Sequence, residues 1–205
     1  MELVLVRHAE PVRLTADDTG GAPADPGLTG LGHEQAARLA AWLAHEHFDT
    51  LLTSSKLRSV ETAIPVAGAL GIEPAVDDEW IEYDAQADHY IPMEELRATN
   101  DARFQAMVDG RWHEFGGEPP AVFQTRIGAA LDRVIAGAPG ERVLIICHGG
   151  VINVALALVL GLDRHLWFDP GYTSISRIVA SRAGIRSVAA VNDTAHLIAR
   201  REASS

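Results

Sequence analysis

Residues 142–150 read RVLIICHGG and contain the most apolar strand pattern of the chain. The run from Val143 to Cys147 is typical of a strand that is buried on both faces of a parallel sheet. His148 and two glycines follow at once, and the apolar residues 151–160 then predict a helix that ends at Gly161. This stretch therefore predicts a strand, a short turn with a histidine, and a helix N-terminus in direct succession.

Two upstream segments repeat this strand pattern. Residues 3–6 (LVLV) precede Arg7 and His8, and residues 50–53 (TLLT) precede a helix with Arg58 in its first turn or so. Residues 73–76 predict a short strand, and β-rich runs at 174–181 and 185–191 close the chain. Strands that alternate with helices predict an α/β fold, here a three-layer α/β/α sandwich with a mostly parallel central sheet.

Helix-capping residues and apolar spacing predict the connecting helices. Thr29 is a candidate N-cap for a helix over about 30–47, and Ser54 or Ser55 for the next helix, which Gly71 ends. A further helix is predicted at about 121–136. The apolar stripes expected to face the core are Leu31, Leu39, Trp42, Leu43 and Phe48 in the first helix and Leu57, Val60, Ile64 and Ala67 in the second.

Two stretches lack regular periodicity. Residues 11–28 hold three Pro and three Gly and are expected to form a long loop directly after His8. Residues 77–120, with many acidic and aromatic side chains, are expected to form an inserted helical cap. Because no fixed-period repeat occurs, the 205 residues are expected to form one domain, 1–205, that includes this cap.

Composition narrows the functional class. The chain has 17 Lys and Arg against 28 Asp and Glu, a net charge of −11, which disfavours binding to nucleic acid or anionic membranes. The N-terminus reads as a strand rather than a signal peptide, and the longest apolar run, 151–162, is shorter than the ~20 residues of a membrane span. Cys147 is the single cysteine and is expected to pack as a small buried residue. We expect a soluble, cytoplasmic protein.

Two histidines give the main chemical signal. His8 and His148 each follow a predicted buried strand, and the carboxyl ends of parallel strands meet at one edge of a sheet, so the two rings are expected to face each other. Arg7 adjoins His8, and Arg58 lies just beyond another strand end. Guanidinium groups and the helix N-terminus after His148 favour an anion such as phosphate. Phosphoryl transfer is the expected reaction class.

The remaining histidines do not suggest a metal site. His45 and His47 are two apart on a predicted helix and therefore point in different directions. His33 lacks the second histidine four residues later that a zinc-protease helix requires. We expect no metal and no cofactor.

Short strings along the chain resemble a known family. They read LVRHAE at 5–10, LTGLG at 28–32, SSKLRSVETA at 54–63 and CHGGVI at 147–152, followed by YTSI at 172–175 and NDTAHL at 192–197. The strings and their order are similar to those of the histidine phosphatase (phosphoglycerate mutase-like) superfamily. The resemblance covers most of the chain and is loose only over 77–120.

The resemblance implies a role for each site residue. His8 would be the nucleophile that takes the phosphoryl group on a ring nitrogen, while Arg7 and Arg58 would bind phosphate oxygens and disfavour the imidazolium form. His148 would hydrogen-bond the same oxygens. Glu82, in WIEY at 80–83, resembles the family's acid and would protonate the leaving oxygen and then activate water. The rivals for the role of the acid are the nearby Asp78 and Asp84.

The chain departs from the family pattern next to His8. Pro11 and Leu14 stand where Ser/Thr and Asn often complete the phosphate pocket. Arg13, Thr15 or backbone groups of residues 11–28 would then take their place.

The expected function is metal-independent hydrolysis of a phosphomonoester through a phosphohistidine on His8. Mutase-type members usually have a longer chain, so the length favours a phosphatase, with a small phosphorylated metabolite such as a sugar or glycerate phosphate as its substrate and no nucleic acid or membrane partner. Two alternatives stay open, a phosphoglycerate mutase and a non-catalytic module that binds a phosphate ligand, and so does the oligomeric state. Candidates for substrate selection, because they flank Glu82, are Trp80, Tyr83, His89 and Tyr90.

Overall fold

The computed structural model describes residues 1–164 and 166–198. Within them, the central sheet comprises β1 (Glu2–Arg7), β2 (Thr50–Thr53), β3 (Ala75–Val76), β4 (Arg142–Cys147), β5 (Ile175–Ala180) and β6 (Arg186–Asp193), in the order β3-β2-β4-β1-β5-β6. The first four in this order pair in parallel, and β5 and β6 extend the sheet with antiparallel pairing. The predicted, mostly parallel sheet is confirmed.

Helices cover both faces of the sheet. Their bounds are α1 (Ala16–Thr19), α2 (Gly30–Leu43), α3 (Leu57–Leu70), α4 (Met93–Ala98), α5 (Ala102–Val108), α6 (Pro120–Gly137) and α7 (Gly149–Leu160). Successive residues of β1 and β4 point to opposite faces, as the period of a strand requires. Leu3 and Leu5 pack in a core with α6 and α7, whereas Val4 and Val6 pack in a second core with α2 and α3. The three-layer α/β/α arrangement is therefore confirmed.

The predicted helix ends are confirmed in part. Thr29 caps α2 and accepts a hydrogen bond from the backbone N–H of Gly32, but α2 ends at Leu43 rather than near residue 47. The prediction that Ser54 or Ser55 caps α3 is wrong, because the N-cap is Lys56, whose side chain makes no capping hydrogen bond. The Ser54 hydroxyl instead lies 2.8 Å from a ring nitrogen of His148.

The apolar stripe predicted to be the buried face of α3 is wrong. Leu57 and Ile64 are 40% and 62% exposed. The buried face consists of Arg58, Ser59, Thr62, Ala63 and Val66. Apolar spacing reveals a helical period but not which face lies inward, and the first turns of α3 present polar side chains to the interior. In α2 the predicted stripe is likewise exposed at Leu31 and Trp42, while Leu39, Leu43 and Phe48 are buried.

The two irregular stretches contact each other. Residues 11–28 contain the short α1, and single β-bridges join Pro11 to Leu28 and Leu14 to Tyr90. Residues 77–120 contain α4, α5 and two 3-10 turns, Asp78–Trp80 and Trp112–Phe115. The buried Lys56 ammonium donates to Ala85 O at 2.9 Å and to Ala24 O at 3.4 Å, and so ties both stretches to the start of α3.

Among the described residues, no helix combines the length and the apolar character that crossing a membrane requires.

Gly32 allows α2 to approach the chain that follows His8. A Cβ atom at Gly32 would lie 2.2 Å from Glu10 O, whereas one at Gly30, in the same helical turn, would meet nothing within 4 Å. We expect Gly32→Ala to lower the free energy of unfolding by about 1–3 kcal/mol. Gly30→Ala should change it by less than about 1 kcal/mol. Urea unfolding of both variants measures the difference, and equal stabilities would contradict this close approach.

Candidate active site

The parallel pairing of β1 with β4 brings two histidines together. Arg7 and Cys147 are partners in this register, so the residues that follow them, His8 and His148, emerge side by side at the carboxyl edge of the sheet. Their ring centroids are 5.1 Å apart, with an angle of 61° between the ring planes. The predicted convergence of the two rings is confirmed.

His8 is held as a neutral imidazole with one defined tautomer. Nδ1 lies 2.8 Å from Ala9 O, which can only accept, so Nδ1 carries the proton. Nε2 therefore presents its lone pair, which accepts a 3.3 Å hydrogen bond from Arg58 Nε. Burial lowers the pKa of His8 well below its usual value, and the charges of Arg58 and Arg7 lower it further. Nε2 is thus unprotonated at neutral pH, as the predicted nucleophile must be.

Arg7 and Arg58 place two guanidinium groups beside His8, and both are buried. Arg7 donates to Pro170 O and lies over the ring of Tyr172, with 4.0 Å between its Cζ and the ring centroid. Arg58 lies over Tyr90 at 4.7 Å. Within the described chain, Arg7 Nε is buried without a hydrogen-bond partner. An anion bound beside His8 would receive this donor, which fits the predicted phosphate-binding role.

His148 caps the end of β4 and is completely buried. Its Nε2 lies 2.8 Å from Ser54 Oγ and 3.5 Å from Ser59 Oγ. Burial lowers the pKa of His148 well below its usual value, and Arg58 and His8 lower it further, so this ring is also neutral. Its Nδ1 has no hydrogen-bond partner among the described residues, and the ring itself does not line the cavity described below.

Glu82 reaches the same place from the segment 77–120. It is 8% exposed, and its carboxylate accepts hydrogen bonds from the backbone N–H of Gly150 at 2.8 Å and of Tyr83 at 3.1 Å. A Cβ atom at Gly150 would lie 2.3 Å from Glu82 Oε1, so glycine is required for this approach. Burial and the charge of Asp84 raise the pKa of Glu82 to about 7. A carboxyl group with this pKa can both donate and accept a proton near neutral pH.

The two rivals of Glu82 have different surroundings. Asp84 lines the cavity described below, and its Oδ1 lies 3.6 Å from a terminal nitrogen of Arg58, so it balances the charge of that arginine. Asp78 is exposed and does not line the cavity. The geometry favours Glu82 as the acid, with Asp84 as the neighbour that raises its pKa.

A cavity of about 230 Å³ joins these groups. Its floor contains Arg7, His8, Arg58 and Glu82, and its walls come from α4, α5, the start of α7 and residues 164 and 166–170. Of the four predicted substrate-selecting residues, Tyr90 lines this cavity. Trp80 and Tyr83 instead pack in the core with α6 and α7, and His89 lies against Asp88 outside the cavity lining. Adjacency to Glu82 in sequence was a poor guide, because neighbouring side chains in this segment point in different directions.

Arg13 and Thr15 do not complete the phosphate pocket. Arg13 Nε donates to Glu95 at 2.9 Å, and Thr15 caps α1 with its side chain. Neither lines the cavity. Of the three predicted replacements for the family's Ser/Thr and Asn, these two side chains have other partners, and the backbone groups of residues 11–28 stay a prediction.

Sequence reasoning missed several supporting residues. Thr62 accepts a hydrogen bond from Ala9 N and donates one to Arg58 O, so it links the segments of the nucleophile and the arginine. Tyr172 lies beside Arg7, with its ring centroid 5.9 Å from that of His8. Thr62 lies in the string SSKLRSVETA and Tyr172 in YTSI, which are the signals that could have found them.

Two further findings concern metal and thiol chemistry. In the ranges 1–164 and 166–198, no group of three or more His, Cys, Asp or Glu side chains could hold a metal ion. Cys147 packs in the core below His148, as expected, and burial raises the pKa of its thiol.

Several curated proteins are similar in sequence to this chain over most of its length. A bifunctional protein of Mycobacterium tuberculosis is 30% identical over 206 residues, which cover 95% of this chain and 54% of that protein. The chain thus spans about half the length of this relative. Phosphoserine phosphatase 1 of Hydrogenobacter thermophilus is 29% identical over 96% of this chain and 94% of its own. A probable phosphoglycerate mutase of Yersinia enterocolitica is 28% identical over 80% and 77%.

Solved structures share the fold. A mycobacterial glucosyl-3-phosphoglycerate phosphatase in complex with VO3 superposes with a TM-score of 0.75 at 22% identity, over 94% of this chain and 99% of its own. The alpha-ribazole phosphatase of Shigella flexneri gives a TM-score of 0.71 at 23% identity, over 94% and 96%. Residues 3–194 match the histidine phosphatase superfamily (branch 1), a span that contains all five predicted site residues. The chain belongs to this superfamily.

Proposed function

We propose that this protein is a phosphatase that hydrolyses phosphomonoesters of small metabolites through a phosphohistidine on His8 Nε2. The observation that carries the proposal is the neutral His8, whose Nε2 lone pair faces the Arg58 guanidinium while Glu82, with a pKa near 7, opens into the same cavity. Nucleophile, anion-binding cations and acid are the three parts that phosphoryl transfer through an enzyme-bound intermediate needs. The phosphatases among the relatives support hydrolysis.

In the first step, the lone pair of His8 Nε2 forms a bond to phosphorus. The bond from phosphorus to the ester oxygen breaks, and this oxygen takes its electron pair and the proton of Glu82. Arg7 and Arg58 hold the phosphoryl oxygens and stabilise the charge that is redistributed among them. His148 holds the same oxygens through Nδ1, its buried and otherwise unpartnered nitrogen.

In the second step, the Glu82 carboxylate removes a proton from water, and the oxygen of that water forms a bond to phosphorus. The bond between phosphorus and Nε2 breaks, and its electron pair returns to His8. Inorganic phosphate leaves, and Glu82 is again protonated. The same carboxyl serves as acid and then as base, which its pKa of about 7 allows.

The proposal treats residues 1–205 as one catalytic domain with 77–120 as its cap. It also includes a cytoplasmic location and a small phosphorylated metabolite, rather than nucleic acid or a membrane, as the partner. The net charge of −11 supports this last point, because positive charge at the site is surrounded by a protein that repels polyanions.

Phosphoglycerate mutase activity is the second candidate, since one relative has the name of a probable phosphoglycerate mutase. The two activities differ in whether water or a substrate hydroxyl takes the phosphoryl group from His8. Incubation with 3-phosphoglycerate and a bisphosphoglycerate primer distinguishes them by product, inorganic phosphate or 2-phosphoglycerate. A non-catalytic binding module would need neither a nucleophile nor an acid, so the presence of His8 and Glu82 in one cavity supports an enzyme.

We expect His8→Ala to lower turnover of 4-nitrophenyl phosphate by at least ~10³-fold, because His8 Nε2 is the atom that forms the bond to phosphorus in this mechanism. His33→Ala, which removes an exposed histidine of α2, should leave turnover unchanged. Both are assayed with EDTA present. Rapid quenching of wild type with ³²P-labelled substrate should trap a phosphoprotein that is stable to base and labile to acid. Turnover by His8→Ala at the wild-type rate would disprove the mechanism.

The pH profile should report Glu82. Its carboxyl is protonated below a pKa of about 7, so kcat for benzyl phosphate, whose leaving oxygen needs a proton, should fall as the pH rises through 7. Glu82→Gln should lower this kcat by roughly 10²–10⁴-fold, and the kcat for 4-nitrophenyl phosphate by less, because that leaving group needs little protonation. Asp78→Asn, a change at the exposed rival, should leave the profile unchanged. Equal losses for both substrates would show that Glu82 is not the acid.

Asp84 should set the pH at which the kcat for benzyl phosphate falls, which is the alkaline limb of the pH profile. Its charge raises the pKa of Glu82, so Asp84→Asn should move the limb of the benzyl phosphate profile to lower pH. Asp84→Glu, which keeps the charge, should restore much of the wild-type profile. The measurement is kcat between pH 5 and 9, and a limb that stays in place in Asp84→Asn would contradict the assigned coupling.

A further inference from the structure

The cavity next to His8 continues away from the phosphate-binding groups between apolar walls. One wall comes from the cap and consists of Met93, Phe104 and Met107. The other wall comes from the segment after α7 and consists of Leu166, Trp167 and Phe168. A sugar or a glycerate would place several hydroxyl groups against these walls, and hydroxyls that lose water without finding a partner are costly to bury. The walls therefore favour an alcohol with an apolar body.

The wall formed by the segment after α7 is held in place by hydrogen bonds. The buried Asn153 of α7 accepts hydrogen bonds at its Oδ1 from Trp167 N at 2.9 Å and from Phe168 N at 3.2 Å. Its Nδ2 donates to Phe168 O and to Gly149 O, both at 3.0 Å. One amide thus fixes the Trp167–Phe168 segment to the helix turn beside the phosphate site. A rigid apolar wall binds an apolar ligand with little loss of conformational entropy.

Two cations line the same cavity, Arg97 from the last turn of α4 and Arg164 from the segment after α7. Over the ranges that the structure describes, neither guanidinium makes a hydrogen bond or an ion pair. Three carboxylates near them are bound by other side chains, although the charge of Asp109 still acts on Arg164. On α4, Glu95 binds Arg13 and Glu94 accepts from Tyr172, and near Arg164 the Asp109 carboxylate binds Gln105 and Arg111.

Four arginines of the described residues, Arg38, Arg97, Arg164 and Arg182, have no carboxylate within 4.0 Å, and two of these four, Arg97 and Arg164, line this cavity. With 28 acidic against 17 basic residues, ten arginines of the described chain, Arg7 and Arg58 included, have a carboxylate within 4.0 Å. Arg97 and Arg164 are exposed residues of the cavity lining, and neither is paired with a carboxylate of the described chain. Guanidinium groups bind carboxylates and phosphates through paired hydrogen bonds. Their position indicates a second anion-binding subsite.

We propose that the substrate is a phosphomonoester of an alcohol with a largely apolar, aryl or branched alkyl body that ends in a second anionic group, which Arg97 and Arg164 bind. This inference rests on the proposed function for the cleavage step, but it concerns the part of the ligand that leaves. It replaces the sugar and glycerate phosphates expected from the sequence as the leading substrate class.

Three probes of graded chemistry test the inference: glycerol 3-phosphate, 2-naphthyl phosphate and 6-phosphonooxy-2-naphthoate, which adds a carboxylate to the naphthyl body. Their affinities are measured by titration calorimetry with His8→Ala, which separates binding from turnover. We expect 2-naphthyl phosphate to bind at least about tenfold more tightly than glycerol 3-phosphate, and the carboxylated probe a further ~10–100-fold more tightly. Inorganic phosphate serves as the common reference for an intact phosphate site.

Further substitutions in the His8→Ala protein show which side chains cause the affinity gained from the naphthyl body and the affinity gained from the carboxylate. Arg97→Gln combined with Arg164→Gln should remove the gain from the carboxylate and leave the affinity for 2-naphthyl phosphate unchanged. Arg182→Gln, which removes a charge from the β5–β6 turn at the opposite end of the sheet, should preserve that gain. Phe104→Ala should weaken both naphthyl probes but not glycerol 3-phosphate, and Phe104→Leu should restore part of the loss.

The outcomes separate the two proposals. Tighter binding of glycerol 3-phosphate than of 2-naphthyl phosphate would overturn the apolar body, and a carboxylate gain that survives the loss of both arginines would overturn the second subsite. Turnover of the probes by wild type tests the proposed function separately. Graded binding without any turnover would refute the phosphatase and leave the assigned ligand class standing.

Discussion

The parallel register of β1 with β4 is the constraint on which the site depends. Both strands are apolar on both faces, so burial alone does not distinguish this register from one shifted by a residue or more. Polar contacts at the two ends do. Arg142 Nε lies 2.6 Å from a Glu2 oxygen where the strands begin, and His8 N donates to Cys147 O at 2.9 Å where they finish. The last of these bonds belongs to the proposed nucleophile, so the contact that fixes the register also fixes His8 beside His148.

The electrostatics of the site depend on two buried cations, Arg7 and Arg58, whose nearest carboxylates in the described chain make no hydrogen bond with them. Each arginine beside His8 stacks on a tyrosine ring, Arg7 on Tyr172 and Arg58 on Tyr90, while the carboxylates near them stay at 4.0 and 3.6 Å. A ring face stabilises a guanidinium without occupying its N–H groups, so those that are not bonded to Pro170 O or to His8 Nε2 can donate to an anion. Burial, together with the charges of Arg58 and Arg7, lowers the pKa of His8 and keeps its imidazole neutral. One arrangement therefore suits both the proposed binding of phosphate and the proposed role of His8.

The sequence located the chemistry of the site better than its walls. His8, Arg58 and His148 lie at or just beyond strand ends, where a strand pattern together with the carboxyl-edge rule specifies a shared location. The inward face of α3 and the orientation of Trp80 and Tyr83 depend on contacts between segments distant in the chain, and local periodicity holds no information about them. The same is true of Arg13 and Thr15. Both lie close to His8 in sequence, but Arg13 binds Glu95 and Thr15 caps α1, and local sequence does not reveal these contacts. The sequence of α3 shows a helical period, but it does not show which face of the helix packs against the core.

Helix α7 connects the catalytic groups to the specificity of the cavity. Its first turn supplies the Gly150 N–H that holds Glu82, so the acid is positioned by the same strand end that carries His148. Asn153, one turn later, holds the wall formed by Trp167 and Phe168. Hydrogen bonding to Gly150 lowers the pKa of Glu82, and burial beneath the cap outweighs that effect and raises it. Glu82 itself belongs to the segment 77–120, so its bond to Gly150 also ties that segment to the start of α7. Successive turns of one buried helix therefore hold both the proposed acid and one wall of the cavity, which couples the position of Glu82 to the shape of the cavity.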